Sequence, residues 1–449
     1  MQPGTAQAEN GNQTDSTYLA TLECLFRLPK KQLLTWHPGS RSFCRHLETC
    51  FSPLLSAEYA PIWRTLGKET PDSPRGCWQL FRDVHVAISA CSEKSSIEDV
   101  WKMVCTLNGP PASTLPLDAV PVKDHAPLFI LVFSVICWST MTLQPKLNWP
   151  EFCGEPSLMV HRQVLDQDTL RIESSVQRPI PALFGQFHRA MSTSRWRHPI
   201  GEATGDTSEA LEVACLNYAS LRDIAKINLD WVTDLTSHLD FDATNRRLSV
   251  YKFPTFCALS AVAAGGKWPA PILEGVEREV YGSNKMHDNH SSLHAEVLLS
   301  YRLIFGQRRG SRQLAKAALR LERKRVADEY DELLDPLCAH PYDHKLRDLP
   351  SDLWPVTCRN FKGSLQEQSS YSSRDDFPHL GQRLAKLQNF TRRQQPSELW
   401  DLWRDRRNPL QWYTFWAVLI VGGISIVLGV LQAVVGVAQL VVAIIQLEH

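Results

Sequence analysis

The sequence predicts a mainly α protein with a minor α+β component: a helix-rich cytosolic body holding one β-hairpin, followed by a C-terminal transmembrane helix. Three observations predict it. Apolar residues recur at helical spacing through most of the chain, one segment alternates about a polar turn as a hairpin does, and the last forty or so residues carry almost no charge. The 449 residues contain 48 basic and 48 acidic side chains, a balance that argues against a general nucleic-acid or polyanion binder. That balance is uneven along the chain. Only Glu448 lies beyond Arg407, leaving 48 basic and 47 acidic residues before the tail.

Taken in order, residues 1–17 are polar and lack the basic and apolar regions of a signal peptide, so they are expected to be disordered and the body to start in the cytosol. The body is assigned to residues 18–358, with helices expected at 42–55, 78–91 and 97–107. A proline-rich connector over 108–127, with Pro110, Pro111, Pro116, Pro121 and Pro127, marks a candidate subdivision. The apolar run 128–143 is short of the 18 residues that suggest a span, and it contains Ser134, Ser139, Thr140 and Thr142, so a buried core helix is expected. Further helices are expected at 208–227, 293–305, 311–334 and 378–390. Residues 238–253 alternate on either side of a polar turn at 242–246 and read as the hairpin, which Pro254 stops. The Ser/Gln-rich stretch 359–376 reads as an extended tether, and 377–411 as juxtamembrane helices.

Twelve cysteines form no C-x-x-C pair and fall in apolar runs, which points to buried reduced thiols. No phosphate-loop, nucleophile-elbow or H-E-x-x-H motif is present, so no catalytic residue or cofactor is assigned and the chain reads as a non-enzyme. His287, His290 and His294 are spaced to share one helix face and are the best metal candidates, although their polar neighbours suit a loop with exposed imidazoles. Arg312, Lys316 and Arg320 form a stripe that suits anionic lipid or an acidic partner, and equally a solvated face. Ser311 follows Arg308 and Arg309 as in a basophilic kinase site, at the start of its predicted helix. On a single helix over 311–334, basic residues precede the acidic group Asp328 to Glu332, an order that opposes the helix dipole.

The tail, 412–447, is uncharged. Trp412, Tyr413 and Trp416, with Trp400 and Trp403 before them, would sit at the membrane interface, and Arg404, Arg406 and Arg407 would hold the preceding side in the cytosol. At 1.5 Å per residue, 36 residues make about 54 Å against a hydrocarbon core of about 30 Å. Along this surplus, Gly422, Ser425, Gly429, Gln432, Gly436, Gln439, Ala443 and Gln446 alternate in steps of three and four. Such a seam suits left-handed self-association, with a monomeric anchor or a glutamine-lined pore as the other readings.

The run 399–417 (LWDLWRDRRNPLQWYTFWA) resembles the signature that precedes the hydrophobic tail in a large group of filamentous-fungal membrane proteins of no established activity. Residues 252–257, 296–307 and 377–387 resemble that group more weakly. The resemblance implies a fungal, helix-rich membrane protein and supplies no catalytic residues. Together these readings give a single-pass protein, with the endoplasmic reticulum its expected membrane. It would be an interaction or scaffold protein, or alternatively a tethered accessory enzyme of a fungal metabolic pathway or a pore-forming effector.

Overall fold

The computed structural model describes residues 5–65, 68–107, 122–147, 157–160, 168–171, 175–186, 210–264, 271–281, 293–361, 363–394 and 409–447. Helices longer than one turn are α1 (Thr5–Phe26), α2 (Lys30–Phe51), α3 (Ala60–Thr65), α4 (Cys77–Ala90), α5 (Ile97–Leu107) and α6 (Val122–Thr140). They continue with α7 (Pro254–Ala264), α8 (Pro271–Tyr281), α9 (Leu293–Tyr301), α10 (Arg309–Val326), α11 (Gly381–Arg393) and α12 (Pro409–Leu447). The strands are β1 (Ser157–Val160), β2 (Asp168–Arg171), β3 (Ala210–Glu212), β4 (Asn228–Val232), β5 (Phe241–Asp242), β6 (Arg247–Tyr251) and β7 (Ser370–Ser372). Helix dominates, so the chain is mainly α as its periodicity predicts.

The core forms where α1, α2, α4, α5 and α6 pack on one another and α7 joins α2 to α9. Phe51 of α2 is its aromatic hub, with ring centroids 4.9 Å from Trp78, 5.9 Å from Phe81 and 5.3 Å from Trp138. Residues 128–140 of the apolar run lie on α6, and the run is buried through Leu143, as expected of a core helix. Its hydroxyls explain why it suits protein rather than lipid: Ser134 Oγ donates to Ile130 O at 2.8 Å, Thr140 Oγ1 to Ile136 O at 2.9 Å, and Ser139 Oγ lies 3.1 Å from His85 Nδ1.

β5 and β6 form the expected hairpin, with Phe241 opposite Leu248. Asp242 Oδ1 shapes the turn by accepting the N–H groups of Thr244 and Asn245 at 2.9 and 3.1 Å. The sheet is larger than the sequence indicated, because β4 pairs in parallel with β6.

Several boundaries are corrected. Residues 5–17 are helical rather than disordered, drawn into α1 by Tyr18, Leu22, Leu25 and Phe26, which are buried against the body. The expected helix at 208–227 is instead β3 followed by a single turn at Val213–Leu216 and a π-turn at Ser220–Ile224. A tertiary contact overrides local propensity there. Gln388 of α11 accepts Glu212 N at 2.6 Å and donates to Ala210 O at 2.9 Å, and β7 pairs antiparallel with β3. That pairing also removes the tether: residues 359–376 are folded onto the body, with Tyr371 buried. α11, expected beside the membrane, belongs to the core through Leu384 and Leu387.

The predicted helix 311–334 stops at Val326, where Ala327 turns the chain out with φ 41°. Asp328 to Glu332 therefore lie beyond it, and Arg323, Lys324 and Arg325 occupy its last turn, where the dipole favours them. Nothing on this helix has the adverse charge order that a longer helix would carry at its C-terminal end.

Candidate functional site

Two features stand out, an apolar helix and a charged cleft. α12 is one continuous helix of 39 residues, and its segment Tyr413–Leu440 is long and apolar enough to cross a membrane, with none of it buried in the body. Val418, Ile426, Val434 and Leu440 are among its exposed side chains. The continuity excludes a hairpin within 412–447. Gly422, Gly429 and Gly436 meet nothing within 4 Å of an added Cβ, so the seam is an open groove on the helix. Ser425 and Gln432, Gln439 and Gln446 are exposed along it, and Ser425 Oγ donates to Val421 O at 2.9 Å. Tyr413 is exposed at the start of the helix, and the Trp416 ring lies 6.2 Å from Phe415. Trp400, Trp403, Arg404, Arg406 and Arg407 lie outside the described residues, as does the side chain of Trp412.

The cleft has a volume of about 870 Å³, within the range of small-molecule sites. One wall is α2, with Trp36, Gly39, Arg41 and Arg45; the others are the chain leaving α10 and the segment around Lys345 and Asp348. Beneath it lies the buried Asp331, whose carboxylate accepts Thr255 N at 2.8 Å, Thr255 Oγ1 at 2.6 Å and Leu333 N at 2.9 Å. Burial pushes this carboxyl up to about 7, against the pull of those hydrogen bonds. Gly39 is required by the same junction, since a Cβ there would sit 2.2 Å from Thr255 Oγ1 and 2.9 Å from Asp331 Oδ1. Ala327, also on the wall, has φ 41° and ψ −95°, a sparsely populated conformation that costs a non-glycine residue about 1–3 kcal/mol. Arg323 lies 4.3 Å over the Tyr330 ring and is ion-paired to Asp335. No sequence motif signalled this cleft, because its walls come from segments about 300 residues apart in the chain.

Buried polar clusters elsewhere are structural. His238 Nδ1 accepts Tyr251 N at 3.2 Å, which places the ring proton on Nε2, facing Ser300 Oγ at 2.9 Å. Ser300 in turn donates to Val297 O at 2.7 Å. A histidine in this tautomer gives a proton to the serine rather than taking one, so the pair is not a nucleophile and its base. Burial also lowers His238 to about 3. The thiols are equally unsuited to attack: burial pushes Cys50 up to about 12 although His46 Nε2 is 3.7 Å away.

Two buried polar links secure the C-terminal part of the body. Arg302, fully buried, donates through Nε to Glu367 Oε1 at 3.0 Å and through Nη1 to Leu337 O and Ala339 O at 2.7 and 2.8 Å. Glu296, also fully buried, lies 2.5 Å from His379 Nδ1 and accepts His379 N and Leu380 N at 2.9 and 3.0 Å.

The sequence-derived candidates fare differently. His287 and His290 lie outside the described residues, whereas His294 is on α9 and buried rather than exposed, with its ring 6.0 Å from Phe256. Among the described residues no group of three or more His, Cys, Asp or Glu side chains is placed to hold a metal. Ser311 is buried and bonds to Asn217 Oδ1 at 3.0 Å and Ala219 N at 3.1 Å, so it is no kinase target in the folded chain. Of the basic stripe, Lys316 and Arg320 are exposed, but Arg312 is drawn back to cap Gly306 O and Gln307 O at 2.9 and 2.8 Å. The described cysteines are free thiols, several of them buried, as expected. Comparisons with protein-family models, curated proteins and solved structures found no match.

Proposed function

We propose that the chain is a membrane protein anchored by α12, with its folded body in the cytosol presenting interaction surfaces rather than an active site. The observation that carries this reading is that Tyr413–Leu440 is long and apolar enough to cross a membrane and that none of its apolar window is buried in the body: an apolar surface of that length finds its lowest free energy in lipid. Arg404, Arg406 and Arg407 before the helix support a cytosolic body. The endoplasmic reticulum is the membrane we assign, and the fungal resemblance of 399–417 agrees with a membrane setting.

Length supports self-association as part of this reading. At 1.5 Å per residue, 39 residues make about 58 Å, and fitting that into a core of about 30 Å needs a tilt beyond the usual 40°. A second copy seated on the seam of Gly422, Gly429, Gln432, Gly436 and Gln439 would cover what lipid does not. Lys316 and Arg320, together with other exposed basic residues of α10, would favour an anionic membrane surface beneath the body. The cleft favours a second reading, a tethered enzyme or ligand-binding accessory protein.

Protease protection of tagged full-length protein in microsomes tests the first reading. A digestible N-terminal tag, a protected C-terminal tag and resistance to alkaline extraction are expected. Release into the alkaline supernatant, or a protected N-terminal tag, overturns it.

A further inference from the structure

We propose that α10 is a docking surface for an anionic lipid bilayer, holding the body against the membrane through Arg309, Lys316, Arg320 and Lys324. Such docking rests on the anchoring of the chain by α12 and adds to it which face of the body turns to the lipid. The four residues are exposed and follow one another along α10 in steps of seven, four and four. At about 100° per residue they fall within an arc of roughly 80°, and they extend over about 22 Å of helix. Ser311, Ala315, Leu319 and Glu322 are buried on the other side, so packing fixes the basic face outward.

None of the four is held by the body. Among the described residues no ion pair or hydrogen bond engages their side chains. Their neighbours differ: Arg312 caps the carbonyls of Gly306 and Gln307, Arg323 is paired with Asp335, and Arg325 with Glu322. Glu322 is the one acidic residue of α10, and it is buried. A solvated helix is stabilised by acids set one turn from its bases, and like charges at that spacing weaken it. α10 bears this repulsion on Lys316, Arg320 and Lys324 without relief, and an opposing anionic surface supplies it.

The composition of the face selects the partner. No aromatic residue lies on α10, which removes the stacking that single-stranded nucleic acid uses and the anchors that protein interfaces favour. Leu321, 69% exposed, is the only large apolar side chain open to solvent there. The apolar side of α10 is packed into the core, so the helix lies on headgroups rather than inserting between them. A bilayer is a flat charged surface, and α12 keeps one beside the body at high effective concentration. Each basic residue near such a surface strengthens binding about fivefold.

Full-length protein in phosphatidylcholine nanodiscs, with and without phosphatidylserine, tests the docking. Labelling by acetic anhydride, an uncharged reagent, is followed at Lys316 and Lys324 by mass spectrometry. Both lysines should react several-fold more slowly in the phosphatidylserine discs, and the difference should shrink as potassium chloride rises from about 0.1 to about 0.5 M. Arg309→Gln with Arg320→Gln, which leaves both reporters in place, should weaken docking about 25-fold and return their rates towards those in neutral discs. Equal rates in the two kinds of disc overturn the proposal, as does slowing that the double variant or salt leaves untouched. If that variant does not fold, the salt series decides alone, and slowing that is equal at both concentrations overturns docking. Protection in neutral discs by polyuridylate or polyglutamate, without protection by phosphatidylserine, assigns the face to a macromolecular partner and likewise overturns it. Co-elution with the discs reports anchoring separately. Chain that co-elutes yet labels equally fails docking alone, whereas chain that leaves the discs fails the anchored reading and the docking with it.

Discussion

His238 shows how burial decides what a titratable residue does. Its folded value of about 3 lies below the ordinary 6.5 of an exposed imidazole, so the folded state keeps it neutral while the unfolded state takes a proton. The stability it contributes is therefore complete above about pH 6.5 and is lost as pH falls towards 3. Between pH 6.5 and 5 the loss is about 2 kcal/mol at 1.36 kcal/mol per pH unit. Urea midpoints for wild type and His238→Asn, which cannot titrate, should diverge by that amount over this range; parallel pH profiles would show that His238 is charged in the folded protein. The residue was visible in the sequence as part of the hairpin, but not its tautomer. Tyr251 N and Ser300 Oγ set that, one from β6 and the other from α9, and only folding brings them to one ring.

Elements were legible where burial and period agree along one segment. α4 and α5 match their predicted bounds closely, and α6 carries the buried run that its hydroxyls and shortness indicated. The misreadings occur where a distant segment supplies the hydrogen bonds. β3 reads as helix from local periodicity because Gln388 and β7, which satisfy its backbone, lie more than 150 residues away in the chain. The same junction predicts a sensitive position at Gly381, where a Cβ would lie 1.8 Å from Ser373 O. Gly381→Ala must push β7 from α11 and should cost roughly 1–3 kcal/mol, as overpacking does. Its signature is faster hydrogen exchange in 370–393 with α4 unaffected; unchanged exchange there would mean that the close approach is not needed.

At the scale of the whole molecule, residues 359–393 are part of the body and not a strap to the membrane. Glu296 is the key link, since its carboxylate serves two backbone N–H groups and His379 at the start of α11. Glu296→Ala leaves those groups without their acceptor and should cost about 3 kcal/mol. Limited proteolysis should then cut between 370 and 394 several-fold faster, and an unchanged cleavage rate would show that the link bears no strain. The tail invites a separate measurement. Crosslinking in mild detergent should yield dimers or higher species of the wild type, and Gln432, Gln439 and Gln446 changed together to Leu should reduce them. Equal monomer in both would remove self-association from the reading.

What the sequence determined by itself was whatever repeats locally: the helical period of the body, the hairpin turn at Asp242, the buried run of α6 and the uncharged helix at the end. Each depends on neighbours within a few residues, so composition and spacing suffice. Tertiary structure decided the rest. The end of α10 at Ala327, the pairing of β3 with β7, the burial of Ser311 and His294, and the cleft between Arg41, Arg45 and Lys345 all depend on contacts between segments far apart in the chain. A backbone or side-chain group is satisfied by whichever partner folding brings to it, and that partner has no fixed spacing to read.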